Sequence, residues 1–335
     1  MFQRVLVFSI LIPSAGGYAN GQVMDTLVPT GYAMPVPVGV APGQILNIFV
    51  RGIGAGLSGR VAAAELPLPT TLAGISVTIA EPGPYNLFDI PQPPYPESPV
   101  PIFAVAPVSG CNEVVAGLVL HACENVAMIT VQIPFWLVPD PVGPFRRIAE
   151  LTVSENDAPV VAFIVRPHID QIHVVDGCDA QLLTAVPPGG GCRPGPVVTH
   201  PDGSLVSSLN QAKPGEELVI YTLGLGVTTP AVKEGEASPT PAATVSVGLD
   251  FDFSPNAGPS TPSQRRDPGT PPLPVFAGLS PGSAGLYQVN FVVPIPPPGT
   301  PACFGTVHSN LTVSVIGANS TDGAGICVTS SDGTH

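Results

Sequence analysis

The sequence contains one formal match to the serine-hydrolase pattern G-x-S-x-G, at residues 278–282, with Ser280 in the place of the nucleophile. A nucleophile elbow needs a strand, a sharp turn and then a helix, because this geometry exposes the serine hydroxyl. Here Pro281 follows the serine, and residues 285–293 have the apolar pattern of a strand. The motif therefore indicates a turn between strands rather than a hydrolase site.

A second group with chemical potential is the polar segment 167–173, in which His168 and His173 flank Asp170. On an extended strand His168 and Asp170 share a face, and His173 points away from it. A metal site would need further ligands from elsewhere, such as Asp176 or Asp179. The alternative is a polar connector between two domains, and the sequence favours this second interpretation.

The other carboxylates give weaker signals. Asp250 and Asp252 share one face of a predicted strand, but general acid–base catalysis would also need a partner and a cleft. Asp322 lies in no EF-hand or repeat-in-toxin spacing, so calcium binding has no motif behind it. We therefore predict no catalytic residue, no metal site and no cofactor.

The densest aromatic cluster is Phe135 and Trp136, with Phe145 nearby, and Trp136 is the single tryptophan of the chain. Aromatic faces stack on sugars and peptides and offer a large contact area. These three residues are the speculative binding site that the sequence suggests. The alternative is that they pack at the base of a β-sandwich or at a domain interface.

Composition restricts the fold and the partners. Of the 335 residues, 44 % are apolar and only 10 % are charged, and 44 prolines and 37 glycines punctuate short apolar runs. Many short strands separated by Pro and Gly turns are typical of an all-β sandwich. The net charge of −13, with only 11 Lys and Arg, opposes binding to nucleic acid or to an anionic membrane.

The beginning of the chain has the three parts of a secretory signal peptide. Met1 to Arg4 is basic, Val5 to Ile12 is apolar but too short to span a bilayer, and residues 13–21 are small and polar. We predict a signal peptide over residues 1–21, with cleavage after Ala19 or Gly21; the alternative is a buried N-terminal strand. No later segment is predicted to span a membrane. The expected location is secreted, either extracellular or periplasmic.

The six cysteines agree with secretion, because disulfides persist in oxidising compartments. Proximity along the chain pairs Cys111 with Cys123, Cys178 with Cys192, and Cys303 with Cys327. Fifteen connectivities are formally possible, so this pairing rests on proximity. Zinc binding is the alternative, but the close C-x-x-C pairs that it favours are missing from the sequence.

One stretch of the chain occurs twice, at residues 41–54 and 213–226, with Pro, Gly, an apolar run and a Gly-x-Gly ending at matching positions. The turn residues followed by a short apolar run predict a buried strand with Leu46, Ile48 and Val50 facing inward. The alternate positions Asn47, Phe49 and Arg51 are expected on a more exposed face. The Gly-x-Gly ending lacks the following helix of a nucleotide-binding loop. Two further echoes pair residues 101–107 with 274–281 and 129–134 with 289–294, in the same order. The three repeated blocks therefore indicate that the chain contains two copies of one β unit.

These blocks divide the chain into domain 1 at residues 22–165 and domain 2 at residues 166–335, with a connector at 166–196. Pro201-Asp202-Gly203 predicts a hairpin turn at the start of domain 2. The clearest predicted strands cover residues 72–79, 148–153, 160–165, 243–253, 286–293 and 311–316.

The blocks resemble an immunoglobulin-like β-sandwich family of secreted acidobacterial proteins, the type called the Solibacter uncharacterised C-terminal domain. The resemblance is carried by residues 72–78, 200–206, 213–226 and 276–290 and covers most of the chain after the signal peptide. It implies two tandem Ig-like modules, secretion, and no established activity or catalytic residues to carry over. The Cys111–Cys123 insertion and the long Pro-rich loops depart from the family pattern.

The sequence thus predicts a secreted, all-β protein of two tandem Ig-like β-sandwich domains. The expected function is that of a non-enzymatic extracellular structural or interaction module, with adhesion or carbohydrate binding as candidate activities and an unknown extracellular protein or glycan as partner. Loops at the sandwich ends are the first expected sites, and an exposed sheet edge is the second. The alternative is a hydrolase or metal-assisted enzyme with its site at the domain junction, near His168 and His173.

Overall fold

The computed structural model describes residues 26–29, 38–81, 84–85, 96–108, 113–115, 118–120, 126–139, 146–177, 179, 195–251, 253, 274–300, 303, 309–315 and 321–329. The fold is all-β, as predicted. Its strands are β1 (Thr26–Pro29), β2 (Val38–Val40), β3 (Ile45–Arg51), β4 (Val61–Ala62), β5 (Thr71–Leu72), β6 (Ile75–Ala80), β7 (Pro84–Tyr85), β8 (Glu97–Pro99), β9 (Ile102–Val108), β10 (Glu113–Val115), β11 (Leu118–Leu120), β12 (Val126–Gln132), β13 (Arg146–Arg147), β14 (Ala149–Glu155), β15 (Ala158–Pro167), β16 (His173–Val174), β17 (Val198–Thr199), β18 (Glu217–Leu223), β19 (Val247–Phe251), β20 (Phe276–Leu279), β21 (Tyr287–Val292), β22 (Ser309–Val315) and β23 (Thr321–Gly325).

The strands form four main sheets, two in each half of the chain. Sheet 1 has the order β1-β3-β12-β9-β4, and sheet 2 has the order β2-β15-β14-β6-β5 with β8 beside β6. Sheet 3 has the order β16-β18-β21-β20 with β17 also on β18, and sheet 4 has the order β19-β22-β23. Two small ribbons, β10-β11 and β7-β13, complete the described strands. We call sheets 1 and 2 the first repeat and sheets 3 and 4 the second repeat.

The strand pairing confirms that the chain is duplicated. The three echoed blocks become β3, β9 and β12 in the first repeat and β18, β20 and β21 in the second. In both repeats the strand of the third block lies between the other two and runs antiparallel to each of them. A parallel contact also recurs: β2 pairs with the end of β15, and Ala212 forms a parallel bridge with Val328.

The Pro-Gly turn that precedes each central strand is closed by the same side-chain bond. In the first repeat the Ala41 amide donates to Oε1 of Gln44 at 2.8 Å, and in the second the Lys213 amide donates to Oε2 of Glu216 at 2.9 Å. The other carboxylate oxygen of Glu216 lies 2.6 Å from Nδ1 of His200. The duplicated turn thus carries a neutral amide in one copy and a charge pair in the other.

The core of the first repeat lies between sheets 1 and 2. As predicted, Leu46, Ile48 and Val50 of β3 point into it. The expectation that the opposite face of β3 is more exposed is wrong, because Asn47 and Phe49 are both 0 % exposed. The polar group on this face is satisfied within sheet 1, since the Thr130 hydroxyl donates to Oδ1 of Asn47 at 2.8 Å.

The predicted strand at 72–79 is instead a hairpin. Ala73 and Gly74 both have positive φ, 53° and 76°, which makes a tight turn between β5 and β6. The predicted hairpin at Pro201–Gly203 is confirmed, because the His200 amide donates to the Ser204 carbonyl at 2.9 Å and Thr199 bridges Leu205. The turn at Pro201–Gly203 was predicted because Pro, Asp and Gly all favour turns. The turn at Ala73 was missed because alanine rarely adopts a left-handed conformation.

One predicted disulfide is present: Cys303 and Cys327 are bonded, with their Cα atoms 5.5 Å apart. The predicted pairs Cys111–Cys123 and Cys178–Cys192 lie outside the described residues, as does the predicted signal peptide at 1–21. Among the described residues, no helix has the length and hydrophobicity needed to cross a bilayer.

Exchanging the two turn residues tests whether their different chemistry is built into the two repeats. Gln44→Glu places a carboxylate at a site that is 0 % exposed, without the histidine that Glu216 has. We expect it to cost about 3 kcal/mol of unfolding free energy. The converse change, Glu216→Gln, keeps an acceptor for Lys213 but removes the charge partner of His200, and we expect a loss of about 1 kcal/mol.

Chemical denaturation measures both changes, and an NMR titration of His200 checks the second. Equal costs for the two substitutions would contradict the assignment of different electrostatic surroundings to the two turns.

Candidate functional site

The connector between the repeats is hydrogen-bonded along the end of β18. Its strand β16 pairs His173 with Leu223 and Val174 with Thr222. The Gln171 amide donates to the Gly224 carbonyl at 2.8 Å, and the Val175 amide donates to the Tyr221 carbonyl at 2.9 Å. The chain that leaves the first repeat is therefore part of sheet 3, which fixes the position of the backbone at residues 171–175.

The connector passes so close to the Gly-x-Gly ending of β18 that only glycine fits at Gly224 and Gly226. A Cβ on Gly224 would lie 2.0 Å from the Gln171 carbonyl oxygen, and one on Gly226 would lie 2.3 Å from that of Ile169. Both glycines also have positive φ, 70° and 84°. The two glycines make room for the backbone of the connector, and the motif is not a phosphate-binding loop.

The chemical centre of the junction is His173, whose ring lies between two carboxylates. Its Nε2 is 2.6 Å from Oδ2 of Asp179, and its Nδ1 is 3.2 Å from Oδ2 of Asp322. The histidine side chain is only 12 % exposed. The cluster joins the connector to β23, because Asp322 lies on that strand of sheet 4.

The charges of this cluster favour the imidazolium form. Burial alone lowers the pKa of His173, but the hydrogen bonds and negative charges of Asp179 and Asp322 outweigh it and raise the pKa from 6.5 to about 9. At neutral pH both ring nitrogens therefore carry protons and donate to carboxylates. An imidazolium held in this way has no lone pair with which to act as a base or a metal ligand.

The two carboxylates are also occupied by backbone donors. Oδ2 of Asp322 accepts from the Val174 amide at 2.7 Å, and Oδ2 of Asp179 accepts from the Asp176 amide at 2.9 Å. Within the part of the chain that the structure describes, no group of three or more His, Cys, Asp and Glu side chains is arranged to hold a metal ion. The cluster acts as a latch that closes the connector onto sheet 4, and we call it the His173 latch.

The rest of the junction is an apolar seam between the repeats. Ile45 of the first repeat, Val175 of the connector and Leu223 of the second repeat are buried together, with Phe103 and Tyr221 packed against them. Phe135, which follows β12 of the first repeat, is 7 % exposed and belongs to the core of the second repeat. The seam is therefore continuous with the interior on its second-repeat side.

Two hydrogen bonds and the close approach of one glycine align the two repeats at the seam. The Leu68 amide donates to the Gly235 carbonyl at 2.8 Å, and the Gly235 amide donates to Oε1 of Gln132 at 2.6 Å. A Cβ on Gly285 would lie 2.9 Å from both Nε2 of Gln132 and the Gly43 carbonyl oxygen. Side chains at these glycines would separate the repeats, so the contact is specified by shape as well as by hydrophobicity.

The structure separates the residues that the sequence grouped as a possible enzyme site. His168 is exposed, and only His173 joins carboxylates in the latch. Ser280 lies in the turn between β20 and β21, as predicted, and its hydroxyl donates to Oε1 of Gln288 at 3.2 Å. Asp252 lies outside the described residues. Of the candidate groups, His173, Asp179 and Asp322 meet in the latch, whereas His168 and Ser280 do not take part in it.

The three aromatic residues of the predicted binding site also have different surroundings. Phe135 packs in the seam, Trp136 is 40 % exposed, and Phe145 lies outside the described residues. Phe135 therefore contributes packing, which is the alternative that the sequence left open for this cluster. A binding role for Trp136 stays a prediction.

Sequence reasoning missed the partners that come from distant parts of the chain. It treated Asp322 only as a calcium candidate and did not consider Gln132 or Gly235. No local pattern marks these residues, because their roles exist only after two separate folding units meet. The His200–Glu216 pair had a weak signal, since both residues border recognisable turns.

Gly224→Ala tests whether the close passage of the connector holds the second repeat together. The new methyl group would overlap the Gln171 carbonyl oxygen at 2.0 Å, so we expect a loss of more than about 4 kcal/mol in unfolding free energy. Gly282→Ala is the matched control, because Gly282 has nearly the same φ, 72°, but no atom within 4 Å of its Cβ position. It should cost only the backbone strain of about 1–2 kcal/mol. Equal losses in chemical denaturation would refute the steric role of the connector.

The His173 latch predicts a pH-dependent stability. Because the folded pKa of about 9 exceeds the unfolded 6.5, the latch contributes fully below pH 6.5 and is lost as the pH rises through 9. The unfolding free energy of the wild type minus that of His173→Gln should fall by about 3 kcal/mol between pH 6.5 and 9. The exposed His168 on the same connector gives the control, His168→Gln, which removes a histidine outside the latch. A constant difference for His173→Gln would exclude the charged latch.

Comparison with known proteins gives no assignment to set beside this geometry. No protein-family model and no curated protein matches the chain. The resemblance to the secreted acidobacterial modules therefore stays a prediction.

Proposed function

We propose that the protein is a secreted, non-enzymatic structural or interaction module composed of two tandem Ig-like β-sandwich domains. The observation that carries this proposal is the junction. An enzyme at the junction would need an open pocket lined by His and carboxylate groups, whereas an interaction module needs a rigid joint. The apolar seam and the His173 latch, in which both ring nitrogens face carboxylates, give the junction the rigid joint that an interaction module needs.

The order of the strands supports the Ig-like part of the proposal. Antiparallel β1-β3-β12-β9 in sheet 1 corresponds to the order A-B-E-D of immunoglobulin sandwiches. The run β15-β14-β6 in sheet 2 corresponds to G-F-C. In the second repeat, β18-β21-β20 and β23-β22-β19 match B-E-D and G-F-C.

Secretion is supported by two independent features. The Cys303–Cys327 bond ties the end of the second repeat together, and such bonds persist in oxidising compartments. The first 21 residues have the composition of a signal peptide. The net charge of −13 suits an exposed, soluble surface and opposes nucleic acid as a partner.

Rigid coupling of the two repeats gives such a module a defined geometry. Gln132 and Gly235 are hydrogen-bonded across the seam, and Phe135 is inserted into the second core. Surfaces on the two repeats are thereby held at one fixed distance, so a partner that contacts both does not have to order the joint when it binds. Trp136 lies next to this joint and is exposed, which makes it the preferred contact for a glycan or peptide.

The proposal is tested with a glycan and peptide array probed with the wild type and with Trp136→Ala. We expect at least one class of ligand to bind the wild type and to lose about ten-fold or more in affinity in the variant. Ile295→Ala is the control, because Ile295 is also exposed, at 75 %, but lies on the second repeat.

A panel of hydrolase substrates tests the alternative in the same preparation. Turnover that disappears in a folded His173→Gln variant would overturn the non-enzymatic assignment and make the junction an active site.

A further inference from the structure

The loop at residues 200–211 leads from β17 to the Pro-Gly turn that precedes β18, and hydrogen bonds within the loop define its shape. In its first half, the His200 amide donates to the Ser204 carbonyl and the Gly203 amide donates to the His200 carbonyl, both at 2.9 Å. The carboxylate of Asp202 accepts from the Ser204 amide at 2.9 Å and from the Ser204 hydroxyl at 2.7 Å. Residues 200–204 therefore form a closed turn at the base of the loop.

The second half of the loop is organised by Asn210. Its side-chain amide donates to Oγ of Ser204 at 3.0 Å and to the Leu205 carbonyl at 3.1 Å. Its main-chain carbonyl accepts from the Ser207 amide at 2.9 Å. Movement of Asn210 would therefore break the bonds that join the two halves of the loop.

The ring of His200 lies between two groups that only accept hydrogen bonds, an ionised carboxylate and a carbonyl. Nδ1 is 2.6 Å from Oε1 of Glu216, and Nε2 is 3.3 Å from the Asn210 carbonyl oxygen. The histidine side chain is 9 % exposed. Both bonds exist only when both ring nitrogens carry protons, since a neutral imidazole has a single N–H and presents a lone pair to the other acceptor. The two contacts therefore identify the closed loop with the imidazolium form.

We propose that His200 is a pH-sensitive switch, whose imidazolium holds residues 207–211 against the base of the loop and whose loss of one proton releases them. The remaining proton stays on Nδ1, because the carboxylate of Glu216 is a stronger acceptor than a carbonyl. The lone pair of Nε2 then faces the Asn210 carbonyl oxygen, so repulsion replaces the hydrogen bond. The turn at residues 200–204 keeps its own backbone bonds, and the second half of the loop is the part that moves.

The charged groups around His200 set the direction of the switch. The hydrogen bond to Glu216 raises the pKa of His200 above 6.5 and outweighs burial, which lowers it; the bond to Asn210 and the negative charges of Glu216 and Asp202 also raise it. Lys213 is the cation beside this group, and its charge acts on Glu216. Because the pKa in the closed loop exceeds that of a free histidine, the closed loop is fully favoured below pH 6.5 and loses this stabilisation as the pH rises through the raised value.

The moving part of the loop carries an exposed apolar side chain. Leu209 is 96 % exposed, and Leu205, whose carbonyl is bound by Asn210, is 43 % exposed. Release of residues 207–211 therefore changes the position of Leu209 relative to Leu205. The switch thus alters the surface that this loop presents, without a change in either sheet.

NMR of the full-length protein follows the ring and the loop over one pH range, from about pH 5.5 to 9.5. The ring signals of His200 give its titration midpoint. The protection of the Ser207 and Asn210 amides against hydrogen exchange, corrected for the intrinsic effect of pH, gives the opening of the loop. We expect this protection to fall about three- to ten-fold at the midpoint of His200, as the loss of one hydrogen bond predicts. The Gly203 amide is the internal control, because its bond to the His200 carbonyl lies in the part that stays closed.

Two substitutions locate the cause of the transition. Glu216→Gln removes the charge that favours the imidazolium, so the midpoints of the ring and of the loop should move together to lower pH. His200→Gln has no titrating proton, so the protection should no longer depend on pH. His168→Gln is the matched control, because it removes an exposed histidine of the connector, and both midpoints should equal those of the wild type.

Protection that stays constant while His200 titrates in the wild type would overturn the proposal. A fall in protection that persists in His200→Gln would also overturn it, because another group would then be the cause. The same holds if Glu216→Gln moves the midpoint of the ring but not that of the loop, since the two would then be uncoupled.

Discussion

The close passage of the connector across Gly224 and Gly226 is the constraint on which the two-repeat structure depends. It lets β16 join sheet 3 and brings His173 to the end of β18, within reach of β23. Without that approach, the latch would lose its geometry and the connector would be a tether rather than a strand. The seam then adds apolar burial and the Gln132–Gly235 bond across the joint. The two repeats, each with its own apolar core, thereby become parts of one arrangement.

Polar residues in this protein are used mainly to hold backbone in place. Gln44 and Glu216 each accept from the amide three residues earlier, and the latch carboxylates each accept from the connector. In three of these bonds, those to Gln44, Asp322 and Asp179, the donor is buried or half-buried and would otherwise lack a partner. The use of a few polar side chains to hold the backbone agrees with a chain in which only 10 % of the residues are charged.

The sequence allowed the all-β class, the duplication and the inward residues of β3 to be predicted, because each depends on local periodicity and turn residues. It also predicted the Cys303–Cys327 bond and the strand that follows Ser280. It failed where the cause was distant: Phe49 looked like a half-exposed residue, and the hairpin at Ala73-Gly74 looked like a strand. In the candidate site, His173 was recognised but Asp322 was not assigned to it, since only the folded chain brings β23 to the connector. Local sequence patterns predict the strands and turns, whereas the contact between the two repeats depends on their three-dimensional shape.

The parallel contact between β2 and the end of β15 has a mechanical consequence. β2 lies near the beginning of the first repeat and β15 closes it, so tension applied along the chain pulls these strands in opposite directions. Parallel neighbours that are pulled in this way slide past each other, and their three paired positions bear the load together instead of opening one after another. In the second repeat the corresponding parallel contact is the single bridge between Ala212 and Val328. The duplicated fold thus places a parallel contact of this kind in each repeat.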